Sequence, residues 1–258
     1  MLIVALHAKK IKKYIVLGFV AVVAVVFLIY FVFSSGAAAV STENKELPIY
    51  SVERTDKKAA ITFDCAWGAD DIPSILETLK ENNIKATFFI VGQWAEKYPD
   101  VVSRISREGH DIANHGYSHL RMGAIQGSKI MSEIEKCGEV LSKITGKKVD
   151  LFRPPYGDYS NNVINISNNI GYYPIQWDVD SLDWKPDISK AEIMERVKRK
   201  IQCGSIILFH NDTAYTAKIL PDIIKECKKD GFEFIPVSEL ILKSNYYIDF
   251  EGRQRPKE

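Results

Sequence analysis

Cysteine is scarce in this sequence, four residues in 258, and no two of them form a CxxC pair. No paired-thiol motif is therefore on offer, and a domain of this size does not need disulfide staples. Cys137 and Cys227 fall inside predicted helices and read as buried free thiols. Acid is missing from the first 40 residues, which hold Lys9, Lys10, Lys12 and Lys13. Those four of the 34 basic residues leave 30 against all 33 acids in the rest of the chain, a mild acidic excess. Such a domain has no electrostatic reason to bind nucleic acid. Repeats and low-complexity tracts are absent as well.

Charge of either sign is missing from Tyr14 to Phe33, a run of 20 residues. A helix of that length crosses a hydrocarbon core of about 30 Å. Lysines precede it and none follows before Lys45, so the positive-inside rule puts the N-terminus in the cytoplasm and the bulk of the chain outside. The rival reading is a cleaved signal peptide, with Ala37-Ala38-Ala39 as the small residues that cleavage needs; the domain is then secreted. Either way the domain is exported. The expected layout is a basic tail at 1–13, a membrane anchor at 14–33, a stalk at 34–55, a main domain at 56–245 and a tail at 246–258.

With 46% hydrophobic and 26% charged residues the chain has the composition of a globular protein. After the stalk, apolar runs alternate with amphipathic stretches. Strands are expected at 58–63, 86–91, 111–114, 151–152, 173–177, 205–209 and 232–236. Helices are expected at 71–82, 99–108, 128–144, 161–170, 189–201, 217–229 and 238–242. About seven strand–helix units predict an α/β fold whose parallel sheet curls into a closed or nearly closed barrel. Active groups of such barrels sit where strands end. Asp64, His115, Arg153, Asp180, Asp183 and His210 all follow predicted strands.

Each of these residues has a bland explanation when taken alone. Asp64 could be a turn or cap residue. His115 and His119, four apart, could share a metal or be loop polar groups. Arg153 opens the rigid run RPPYG, where it could grip a carboxylate or make a structural salt bridge. His210 ends the apolar run SIILF, as an acid–base group or a hydrogen-bonded rim histidine. His110 reads as surface or structural. Jointly, and in this order at strand ends, they are a strong signal.

The motifs ITFDCAWG, NHGYSH, RPPYG, DSLDW and LFH resemble those of the NodB-like polysaccharide deacetylases over about residues 56–243. The TFDCAWG form, with an N-terminal anchor, is most similar to the sporulation-type (PdaB-like) branch. The resemblance implies a distorted (β/α) barrel that hydrolyses N-acetyl groups of cell-wall amino sugars, peptidoglycan above all. It implies Asp64 as general base, His210 as general acid, Arg153 as partner of Asp64 and Asp183 as partner of His210. It implies a divalent metal, usually zinc, on His115 and His119. Tyr156 would help hold the oxyanion through its backbone N–H, and Trp184 and Leu208 would line the acetyl pocket. The implied partners are the cell-wall glycan and, through the anchor, the membrane.

One position departs from the family motif. Where TFDD has its second Asp, a metal ligand, this chain has Cys65. Three readings stand: a Cys65 thiolate completing a Cys-His-His set, a thiol turned into the core beside a two-histidine site, or loss of the metal. The competing functions follow from these. They are a metal-dependent N-deacetylase, a weak or inactive glycan-binding or morphogenetic protein, and another amide or ester hydrolase on the same scaffold.

Overall fold

The computed structural model describes residues 2–35 and 45–257, with side chains described for 13–31 and 45–257. Two compact units are present, 1–44 and 45–258. Among the described residues the first holds one helix, α1 (Leu2–Ser35). Its segment Lys13–Phe31 has a mean hydropathy of 2.8, and none of its residues is buried. The small residues at 37–39 lie outside the described residues.

The second unit begins with β1 (Ser51–Val52) and β2 (Lys58–Cys65), followed by α2 (Ile72–Glu81) and β3 (Thr87–Ile90). Next come α3 (Gly92–Lys97), α4 (Pro99–Arg107), β4 (Asp111–Asn114), α5 (Gly127–Thr145) and β5 (Leu151–Phe152). A 3₁₀ turn (Pro155–Gly157) leads to α6 (Asn161–Asn169), β6 (Tyr173–Pro174), β7 (Val179–Asp180) and α7 (Lys190–Lys200). The unit finishes with β8 (Ile206–His210), α8 (Thr216–Lys229), β9 (Glu233–Phe234), α9 (Val237–Leu240), β10 (Tyr246–Ile248) and β11 (Arg253–Pro256).

The main sheet runs β6-β5-β4-β3-β2-β8-β7, with β9 beside the start of β2, and all its pairings are parallel. Its two edge strands are consecutive in sequence, and only residues 175–178 join them. Laid flat, six strand spacings of about 4.8 Å would hold the edges roughly 29 Å apart. The link reaches roughly 18 Å when fully extended. The sheet must therefore curl until its edges approach, which bears out the expected near-closed barrel. Among the described residues β6 and β7 form no ladder with each other. Ile49 bridges to Ile175, and the Asp178 N–H donates to the Ile206 carbonyl at 3.3 Å.

Strand alternation sorts the side chains. Ala59, Ile61, Phe63 and Cys65 of β2 pack in the large core that holds Ile75, Leu76 and Leu79 of α2. Ala60 lies in the inner cluster with Phe89, Ala113, Ile175 and Ile206. The register pairs Ala60 with Ile206, Thr62 with Leu208 and Asp64 with His210. The barrel interior thus passes from apolar at one end to titratable at the other.

Three details differ from expectation. The helix α3 was not foreseen, because six residues are too few for a helical period to show. Residues 45–55, read as stalk, belong to the folded unit: Ile49, Ser51 and Val52 are buried, and β1 pairs with β11. The tail at 246–258 is likewise built in, since β10 and β11 form an antiparallel hairpin. Gln254 is its anchor. It is fully buried, donates from Nε2 to the Leu242 carbonyl at 2.8 Å, and accepts the Leu242 N–H at 2.7 Å. Gln254→Ala leaves both Leu242 groups unmatched and is expected to destabilise the fold by about 1–3 kcal/mol. The check is the urea unfolding midpoint, which should fall; an unchanged midpoint would show the hairpin to be dispensable.

Candidate active site

Asp64 and His210 end neighbouring strands in register, so their Cα atoms are set side by side by the β2–β8 ladder. Arg153 follows β5 and has no exposed surface. It donates from Nη1 to Asp64 Oδ1 at 2.6 Å and to Thr62 Oγ1 at 2.9 Å, and from Nη2 to the Gln176 carbonyl at 3.1 Å. Its guanidinium stands 3.9 Å from the centroid of the Phe89 ring. Burial would raise the Asp64 pKa, but the charges of Arg153, His115 and His210 outweigh it and hold the carboxyl below its ordinary value. Asp64 is therefore a buried, ionised carboxylate.

His210 receives the opposite treatment. Its Nδ1 lies 2.8 Å from Asp183 Oδ1, and its backbone N–H donates to Asp183 Oδ2 at 2.7 Å. Thr216 Oγ1 also donates to Oδ2, at 2.5 Å. Burial would depress the imidazole pKa, yet the hydrogen bond and charge of Asp183 prevail and raise it above 6.5. One strand end thus holds a carboxyl whose pKa is lowered, and its neighbour an imidazole whose pKa is raised.

His115 follows β4 and is buried, with Nδ1 2.8 Å from the Arg153 carbonyl. A carbonyl only accepts, so Nδ1 carries the proton and Nε2 turns its lone pair inward. Asp64 Oδ2 is 3.4 Å from that Nε2. His119 has a left-handed backbone, φ 56°, and its ring lies 5.1 Å from that of His115 and 4.4 Å from that of Tyr156. Burial, then the charge of His115, lower the His119 pKa to about 4. Burial lowers the His115 pKa as well. Tyr156 also has positive φ, 61°, in the turn that follows Pro154.

These groups converge on one cavity of about 450 Å³, lined by Asp64, His115, His119, Tyr156, Trp184, Leu208 and His210. Asp183 stands behind His210. Ala66, Trp67, Arg121, Trp177 and Asp180 complete the wall. Of these, Arg121 carried no sequence signal, because it sits in a loop without a pattern around it, and Trp177, expected at the end of a strand over 173–177, lies in the link that follows β6. A larger cleft of about 610 Å³ lies between residues 182–188 and α7, away from this chemistry. His110, read as surface or structural, is structural: it is buried and accepts the Ala86 N–H at 3.1 Å.

Cys65 is the correction. It is fully buried on the outer face of β2, one position past Asp64 and therefore on the other side of the strand. Burial, together with the charges of Asp64 and Asp71, pushes its thiol far above the usual range. A protonated thiol in an apolar core is no metal ligand. Among the described residues no three His, Cys, Asp or Glu side chains converge as a metal site. The residues present therefore do not fit a three-donor zinc centre, although His115 and His119 remain side by side. Cys65→Ser is expected to leave the metal content of the purified protein unchanged by elemental analysis. It should lower stability by about 1–3 kcal/mol, the cost of an unmatched buried hydroxyl. Loss of bound zinc in that variant would restore Cys65 as a ligand.

Comparison with known proteins identifies the family. The polysaccharide deacetylase family profile matches residues 51–175. A peptidoglycan-N-acetylglucosamine deacetylase of Bacillus cereus is 34% identical over 191 residues, covering 72% of this chain and 69% of that protein. The peptidoglycan-N-acetylmuramic acid deacetylase PdaA of Bacillus subtilis is 30% identical, covering 73% of each. A crystal structure of a CE4 family pseudoenzyme from Bacillus anthracis superposes with a TM-score of 0.72 at 32% identity, covering 75% of this chain and 68% of that one. With this fold, and with relatives of this identity and coverage, the chain belongs to the polysaccharide deacetylase (NodB, CE4) family.

Proposed function

We propose that the chain hydrolyses the N-acetyl group of amino sugars in peptidoglycan, releasing acetate and leaving a free amine. The observation that carries this reading is the pair of charge couples at adjacent strand ends, buried Asp64 with Arg153 and half-buried His210 with Asp183. Asp64 takes a proton from water as the water oxygen attacks the acetamide carbonyl carbon. The carbonyl electron pair moves onto oxygen, where the Tyr156 backbone N–H is the assigned donor. Collapse re-forms the carbonyl and breaks the C–N bond, and His210 gives its proton to the departing nitrogen. Arg153 keeps Asp64 ionised and in place, and Asp183 orients the His210 ring. Trp184 and Leu208 enclose the acetyl group. No step is assigned to a metal, because the third donor position of the family motif faces the core.

The positively charged start of the chain and the apolar helix support an anchor with its N-terminus inside and the catalytic unit outside, facing its glycan. The TFDCAWG motif alone supports a sporulation context. A second reading, a glycan-binding wall protein without turnover, is favoured by the buried Cys65 and by the Bacillus anthracis relative being called a pseudoenzyme.

Acetate release from peptidoglycan and from chitooligosaccharides separates the two readings. Asp64→Asn and His210→Ala should each lower kcat by about 10²–10⁴-fold. Full activity in Asp64→Asn would sink the mechanism. The pH profile supplies a sharper check. Activity requires protonated His210 and is lost as pH rises through its pKa, which Asp183 raises above 6.5. Without that support only the charges of Asp64 and Asp180 oppose burial, the largest influence, which lowers the pKa. In Asp183→Asn the alkaline limb should therefore move to lower pH; an unmoved limb would show that His210 is not the acid.

A further inference from the structure

The charged groups that line or back the cavity are matched, with one exception. Asp64 has Arg153 at 2.6 Å and His210 has Asp183 at 2.8 Å. Asp180 accepts the Leu182 N–H at 2.8 Å and feels the charges of His210 and Arg196. Arg121 lines the same cavity, and among the described residues no carboxylate oxygen lies within 4.0 Å of its guanidinium.

Arg121 is nonetheless held in position. Its guanidinium lies over the Tyr156 ring, 4.4 Å from the centroid. That ring also packs on His119, which feels the Arg121 charge. The backbone beneath is anchored, since Met122 is fully buried and the Gly123 N–H donates to Asp158 Oδ2 at 2.9 Å. Stacking on an aromatic face occupies the flat side of a guanidinium and leaves its edge N–H groups free to donate in plane. A carboxylate is the group that such an edge grips in bidentate fashion.

We propose that Arg121 binds a carboxylate carried by the N-acetylated sugar itself. The preferred substrate is then an acidic amino sugar with a free carboxylate beside the acetamide, as in the unsubstituted 3-O-lactyl group of N-acetylmuramic acid. This rests on the cavity being the site that receives the acetamide. N-acetylglucosamine lacks the acidic arm and leaves Arg121 unmatched. A muramic acid whose lactyl group is amidated by a peptide loses the charge that Arg121 reads.

The test is titration calorimetry on the full-length chain in detergent micelles. The probes are N-acetylglucosaminyl-N-acetylmuramic acid, with its lactyl carboxylate free, and diacetylchitobiose. Wild type should favour the acidic disaccharide by about ten- to a hundredfold, the range of a charge-assisted hydrogen-bonded pair. Arg121→Ala should bring the ratio near unity, Arg121→Lys should keep part of it, and Arg121→Glu should invert it. Equal affinities in wild type, a ratio that Arg121→Ala leaves unchanged, or binding of neither sugar overturns the proposal. Acetate release is followed in parallel on both disaccharides. A binding preference without acetate refutes the hydrolase and keeps the role of Arg121. Hydrolysis of both sugars at equal kcat/KM does the reverse.

Discussion

The contact between Arg153 and Asp64 is the constraint around which the barrel is arranged. Two opposite charges taken out of water cost several kcal/mol each, and only close geometry with further hydrogen bonds offsets that cost. Both conditions are met here. Asp64 Oδ1 and Thr62 Oγ1 share Nη1, and Thr62 in turn donates to the Ile207 carbonyl at 2.8 Å. Phe89 offers its ring face to the guanidinium. The pair ties the end of β5 to the end of β2, although two strands stand between them. His115 is drawn into the same arrangement through the Arg153 carbonyl. The guanidinium stabilises the negative charge, and the backbone of the same residue orients the imidazole.

A parallel ladder then sets His210 next to this carboxylate. Because Asp64 and His210 share a register position, their unlike environments act on neighbouring groups. The Arg153 charge helps to hold the Asp64 pKa down, while Asp183 holds the His210 pKa up. Pushing two titratable groups in opposite directions is the usual physical means of having acid and base together at one pH. It is obtained here from secondary structure, since the ladder fixes the spacing before any side chain is chosen.

Most of this was legible in the sequence. Apolar runs ending in Asp64, Arg153 and His210 mark both the strands and the end of the barrel that carries chemistry. The helices α4, α5 and α8 declare themselves through apolar periodicity. What stayed hidden has a common cause: it depends on which way a side chain faces or on pairing far along the chain. Cys65 is one residue from Asp64, and only the pleat separates core from cavity. The hairpin at the C-terminus pairs with β1, some two hundred residues away, and neither partner has a strong pattern of its own. Arg121 lies in a loop, where neither period nor alternation applies.

The unpaired seam between β6 and β7 has a consequence for recognition. In a fully closed barrel every interior strand satisfies its carbonyls with the next strand's N–H groups. Residues 175–178 keep only isolated contacts of that kind, the Ile49–Ile175 bridge and the bond from the Asp178 N–H to the Ile206 carbonyl. The Gln176 carbonyl is thereby free to receive Nη2 of Arg153, and Trp177 is free to turn into the cavity wall. A gap that looks like incomplete architecture gives the buried cation its third acceptor. Closing the ladder there would withdraw it.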